Sequence, residues 1–223
     1  MFIGHHGAGL AGKSLAPRVS LGWLVAAPML VDLIWPFFLL AGIERVRIEP
    51  GNMVANPLVF EHYPWTHSLL MTVLWGVLFG TVYWLLKRDM RGALVLLVLV
   101  ISHWVFDLVT HRPDLPLTPW GETRYGLGLW HSYAGTIVVE GLLFATCVLL
   151  YYRKTRAKDS AGRYGFLGWV LFLVVTYVAN FLGPPPPDVN LLAYVALLLW
   201  IMPFWAAWAD RHREVVLTGP GRG

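Results

Sequence analysis

Six apolar stretches recur along the chain, at about 21–43, 66–86, 92–111, 132–152, 164–182 and 191–209. Each holds about 20 residues, the length a helix needs to cross a bilayer core of ~30 Å. Short polar or proline-bearing segments separate them: Glu49-Pro50-Gly51, Lys87-Arg88-Asp89, Arg112-Pro113-Asp114, Arg153-Lys154 and the four prolines 184–187. The pattern predicts an all-α, polytopic membrane protein with six transmembrane helices in a single domain over residues 1–223. Chemistry-bearing motifs fall within 1–150, and 151–223 adds two further spans and a tail. Pro28 and Pro36 interrupt the first stretch and predict a kink or a broken helix there.

Composition agrees. The 223 residues are 57% hydrophobic and 13% charged, against ~25% charged for soluble domains. The formal charge of +4 speaks to orientation in a membrane rather than to nucleic acid. With both termini cytoplasmic, Lys13, Arg18, Lys87, Arg88, Arg91, Arg153, Lys154, Arg156, Lys158, Arg163, Arg211, Arg213 and Arg222 all lie inside, 13 of the 17 basic residues. Only Arg45, Arg47, Arg112 and Arg124 fall outside. Cys147 is the single cysteine, which excludes an intramolecular disulfide and a cysteine-rich zinc site. The first twelve residues, with two histidines and no apolar core after a basic start, do not read as a signal peptide.

Against this background the polar residues stand out. A charge at mid-bilayer costs ~2.5 kcal/mol or more on insertion scales, so such groups usually face a shared interior. His103, Asp107 and His111 are spaced i, i+4, i+8 and drift by only ~80° on a helix, so they share a face. Imidazole and carboxylate at that spacing suit a metal ion; the structural alternative is one buried His–Asp hydrogen bond. His62 and His67 lie at the outer start of the second stretch, and His131 at that of the fourth. The topology therefore gathers them with Asp107 and His111 in a polar pocket opening outward. Thr66 or a neighbour is expected to cap the second helix, and Ser68 to hold a ligand's second nitrogen. Asp32, between the two prolines, is a bridging ligand or general base, or else a partner for backbone freed by the kink. Glu140 is a functional group or a structural partner for Asn180 or a tryptophan. His5 and His6 form a solvated tail on the cytoplasmic side unless the N-terminal segment folds back into the bundle. Arg112 and Arg124, on the outer loop, could grip an anionic head group.

The ordered set Gly4-His5-His6, Pro28 with Asp32, His62 with Thr66-His67-Ser68, and Ser102-His103 with Asp107 and Thr110 resembles the YdjM-like bacterial inner-membrane family, described as metal-dependent hydrolases. The likeness covers about residues 1–150. More remotely, the order is similar to the zinc-dependent phospholipase C and single-strand nuclease fold. That resemblance implies ligation by His5 or His6, Asp32, His67, His103, Asp107 and His131, with Asp107 bridging. Residue 135, four beyond His131, is glycine where those enzymes carry glutamate, so one to three zinc ions are implied. The expected function is hydrolysis of an ester or phosphoester of a lipid or lipid-linked substrate at the outer leaflet, with no nucleic-acid partner. A proton- or ion-coupled transporter using Asp32, Glu140 and His103 is the alternative. A haem-binding electron carrier with paired histidines is a third reading.

Overall fold

The computed structural model describes residues 1–216. Six helices long and apolar enough to cross a membrane form the body: Leu21–Leu40, Leu69–Lys87, Met90–Thr110, Tyr133–Lys154, Ser160–Leu182 and Val189–Arg211. We call the first five α2, α4, α5, α6 and α7. The sixth comprises α8 (Val189–Leu197), a 3₁₀ turn Leu198–Trp200 and α9 (Ile201–Arg211). Pro203 lies just past that break, in the first turn of α9, where its missing N–H leaves the Leu199 carbonyl without its i+4 partner. The other proline-bearing span behaves differently: α2 runs unbroken through Pro28 and Pro36.

Every span starts at a serine or aspartate whose side chain accepts from the backbone: Ser20 from Gly22, Ser68 from Met71, Asp89 from Gly92, Ser132 from Gly135, Asp159 from Gly162 and Asp188 from Leu191. These bonds satisfy N–H groups that have no intrahelical acceptor. Between α4 and α5 the chain reverses in two residues, with Arg88 in the left-handed region at φ 54°. The outward faces of α4, α6 and α7 remain rich in exposed leucine, valine and isoleucine, as lipid-facing surfaces should be.

The N-terminal segment is not a solvated tail. Ile3–Leu15 forms a further helix, α1, buried inside the bundle against α2, α5 and α6. Glu140 explains how its start is tolerated there. Its Oε2 accepts from the backbone N–H groups of Phe2 (2.8 Å) and Gly4 (3.4 Å), capping α1 from α6. Gly9 explains the close crossing with α2, since a Cβ there would lie 2.7 Å from the Leu24 carbonyl oxygen. That carbonyl is the one Pro28 leaves without a helical donor. At the far end Lys13 reaches the Val19 carbonyl (2.9 Å) and Asp210 (2.7 Å), fastening α1 to α9. Met1 is itself buried beside Asp107. The expectation of an N-terminal segment on the basic side thus holds for Lys13 and Arg18 but not for the residues before them. Arg222 lies outside the described residues.

The two ends of the bundle differ. One gathers Lys13, Arg18, Lys87, Arg88, Arg91, Arg153, Lys154 and Arg211, and carries an antiparallel pair of short strands, β5 (Thr155–Ala157) with β6 (Arg213–Val215). The other is covered by a hairpin of β1 (Arg45–Ile48) with β2 (Leu58–His62), the short helix α3 (Pro64–His67), and β3 (Leu115–Pro116) paired with β4 (Arg124–Tyr125). The break between α3 and α4 falls at Ser68, whose ψ of 148° is extended. His67 therefore sits on α3, not on the spanning helix.

Candidate metal centre

Four helices deliver side chains to one point below the covered end. Asp32 comes from α2, His67 from α3, His103 and Asp107 from α5, and His5 from α1. Two overlapping groups, His5–His103–Asp107 and Asp32–His67–His103, each offer three ligand atoms within 4.8 Å of one another. All but Asp32 are closed off from solvent; the Asp32 side chain, 25% exposed, forms the open edge.

Hydrogen bonds behind the histidines decide which nitrogen faces the centre. His103 Nδ1 donates to the Pro28 carbonyl (2.7 Å), so its Nε2 carries a lone pair in the neutral ring. That Nε2 is buried without a hydrogen-bond partner. It lies 2.9 Å from Asp107 Oδ2, in poor alignment for a hydrogen bond, and 3.9 Å from Asp32 Oδ1. His67 is held similarly. The Thr66 hydroxyl donates its one proton to Glu44 Oε2 (2.7 Å) and accepts from His67 Nδ1 (2.6 Å). His67 Nε2 then meets Asp32 Oδ1 at 3.3 Å, within hydrogen-bonding distance, and presents a lone pair to it when the ring is neutral. In His111, Nδ1 donates to Asp114 Oδ1 (2.9 Å), and Nε2 faces Asp107 Oδ2 at 3.7 Å. Lone pairs and carboxylate oxygens pointing at one another in a low-dielectric interior repel, and a cation between them removes the repulsion.

His5 occupies a different position. Its ring stacks on His103, with centroids 3.9 Å apart, and its Nε2 meets Asp107 Oδ1 at 3.0 Å. The backbone nitrogen of Met1 also approaches that oxygen, at 2.5 Å. Asp32 pairs only with histidines among the described residues.

The other residues singled out from the sequence separate clearly. His6 points away from the centre, bonded to the Phe2 carbonyl and set edge-on to Trp169. His62 lies on β2 opposite Arg45. His131, exposed, bonds the Gly128 carbonyl. The structure brings none of these three into either group. Arg112 is already engaged by Asp114 (3.3 Å) and Asn52 (2.8 Å), and Arg124 is exposed on its loop, bonded to the Gly121 carbonyl. Ser68 holds no ligand nitrogen; it caps α4, and the neighbouring Thr66 takes the role expected of it.

Three supporting residues escaped the reading of the sequence. Glu44 is 1% exposed and accepts from the Trp65 and Thr66 amides as well as the Thr66 hydroxyl. Burial raises its carboxyl above the ordinary range, and the nearby His67 and these donors oppose the rise. Asp114 orients His111. Tyr63 donates to Asp114 Oδ1 at 2.8 Å. Burial, then the Asp114 charge, pushes the Tyr63 phenol well above its usual value, so it stays a donor. The only sequence signal for Asp114 is its place three residues after His111; Glu44 has none.

The YdjM inner membrane protein family matches residues 7–184, a stretch that contains Asp32, His67, His103 and Asp107 and begins just after His5. No curated protein and no solved structure matches the chain. With six membrane-spanning helices and a match over most of its length, the chain belongs to the YdjM inner membrane protein family and is a multi-pass protein of that membrane.

Proposed function

We propose that the protein is a membrane-embedded, metal-dependent hydrolase. The observation that carries this reading is the buried, unpartnered Nε2 of His103, aimed at the carboxylates of Asp107 and Asp32. Imidazole nitrogens and carboxylate oxygens without cysteine suit zinc or another divalent ion. His67, His103 and Asp107 would hold it, with Asp32 and His5 completing the set. His103 belongs to both three-residue groups and its Nε2 can bind only one ion, so these residues would complete one three-ligand site.

A divalent ion, when bound, supplies a Lewis acid that activates water near neutral pH and stabilises charge on an attacked ester. The chain's own residues supply the rest. Asp32, at the open edge, accepts the proton from the attacking water. Covering the end with the β1–β2 hairpin and α3 excludes bulk water, which strengthens every charge interaction beneath. Because the site lies within the bundle near one membrane face, an ester or phosphoester of a lipid or lipid-linked molecule is the substrate class that can reach it. Arg124, free of an acidic partner among the described residues, is better placed than Arg112 to meet an anionic head group.

The test is hydrolysis of phospholipid and lipid-phosphate substrates by detergent-purified protein, with and without added zinc or manganese. Metal-dependent turnover lost in Asp32→Asn and Asp107→Asn supports the reading. Substrate-driven flux in vesicles, with metal dispensable, would replace it with a transporter.

A further inference from the structure

Glu44 has no sequence motif, yet it ends a three-member relay whose other end is the metal-facing nitrogen of His67. We propose that Glu44, acting through the Thr66 hydroxyl, is a positioning residue that sets the His67 tautomer. Its service to catalysis rests on the metal reading above, while the tautomer assignment does not.

Proton inventory makes the case. The Thr66 hydroxyl has one proton and two neighbours, Glu44 Oε2 at 2.7 Å and His67 Nδ1 at 2.6 Å. A carboxylate only accepts, so the hydroxyl proton goes to Glu44 and the hydroxyl oxygen must accept from His67. Nδ1 therefore holds a proton, and in the neutral ring Nε2 is left with the lone pair, 3.3 Å from Asp32 Oδ1, an oxygen it can bond only by carrying a proton itself. The other Glu44 oxygen is fixed by two backbone donors, Trp65 N–H (2.8 Å) and Thr66 N–H (2.9 Å). The carboxylate thus cannot turn away without leaving buried donors unpaired. Both bonds lie in the first turn of α3, so Glu44 also anchors the helix that carries His67. The segment after α2 and the α3 turn are held together by one side chain.

Substitution reverses the inventory. In Glu44→Gln the amide nitrogen can donate to the Thr66 hydroxyl, which then donates to His67 Nδ1 and moves the ring proton to Nε2. In Thr66→Val the acceptor is gone, and His67 gains most by donating from Nε2 to Asp32. Thr66→Ser keeps the hydroxyl. Removal of such an orienting partner typically weakens metal binding by about 10–100-fold.

The experiment is ¹⁵N-histidine NMR on chelator-treated full-length protein at alkaline pH, with the His67 signals identified by their loss in His67→Gln, followed by zinc titration. We expect the wild type and Thr66→Ser to carry the proton on Nδ1, and Glu44→Gln and Thr66→Val to carry it on Nε2 with about 10–100-fold weaker zinc binding. A wild-type His67 protonated on Nε2, or a tautomer unchanged in both Glu44→Gln and Thr66→Val, overturns the assignment. Because the tautomer is read without metal, failure of zinc to bind the wild type would sink the hydrolase reading and leave this result standing by itself.

Discussion

His103 and Asp107 were legible from spacing alone, because i and i+4 on one helix meet wherever that helix goes. His5 and His6 show what spacing cannot give. Adjacent helical residues point ~100° apart, and only the docking of α1 decides that His5 faces Asp107 while His6 faces Trp169. Glu44 and Glu140 were opaque in their roles for a related reason: their partners arrive from separate segments. The distinction between Ser68 and Thr66 is testable at this scale. Ser68→Ala removes a helix cap and should lower stability by ~1 kcal/mol with metal content unchanged, whereas Thr66→Val should weaken metal binding. Thermal unfolding together with metal analysis separates the two outcomes; equal metal loss in both would contradict the division of labour described for them.

The apolar pattern located the spanning elements to within a few residues, since membrane thickness fixes their length. It could not show that the second stretch divides at Ser68, nor that a short helix with four glycines among its thirteen residues would pack inside the bundle. Small residues there permit close backbone approach, which is what a short buried helix needs. Two substitutions probe its docking. Glu140→Leu strips the acceptor from the Phe2 and Gly4 amides and should destabilise by about 1–3 kcal/mol, the usual penalty for unpaired buried donors. Glu140→Gln keeps an acceptor and should lose less. Unfolding in detergent measures both, and equal loss would mean that the contact is incidental. At the basic end, Asp159 caps α7 and accepts from His212 Nδ1 at 2.7 Å. The His212 bond, followed by the Gly162 bond, depresses the Asp159 carboxyl below its ordinary range. A depressed carboxylate stabilises the fold above its unfolded pKa, ~3.9, and that contribution disappears as pH falls through the lower folded value. An Asp159→Asn variant should show a flatter stability profile on the acid side, below about pH 4, and an acid-side profile as steep as the wild type's would leave only the cap.

At the scale of the molecule, charge and chemistry occupy opposite ends. Basic residues crowd the end with the β5–β6 strand pair, while the candidate metal centre sits under the other. The positive-inside rule predicts the basic end in the cytoplasm and the centre toward the outer face. Cys147, the single cysteine, is buried, so introduced cysteines can be read against a quiet background. A membrane-impermeant maleimide applied to intact cells should label Glu122→Cys and spare Lys158→Cys until the membrane is opened. The reverse pattern would move the centre, and any lipid substrate, to the inner leaflet.

The central claim is that these helices assemble a metal site. Metal content by mass spectrometry tests it most directly, on detergent-purified wild type beside His103→Ala and His131→Ala, prepared without chelator. At least one zinc, manganese or iron per wild-type chain, lost in His103→Ala and kept in His131→Ala, is the predicted result. Absence of metal from the wild type even after metal is added back, or its full retention in His103→Ala, would contradict the account.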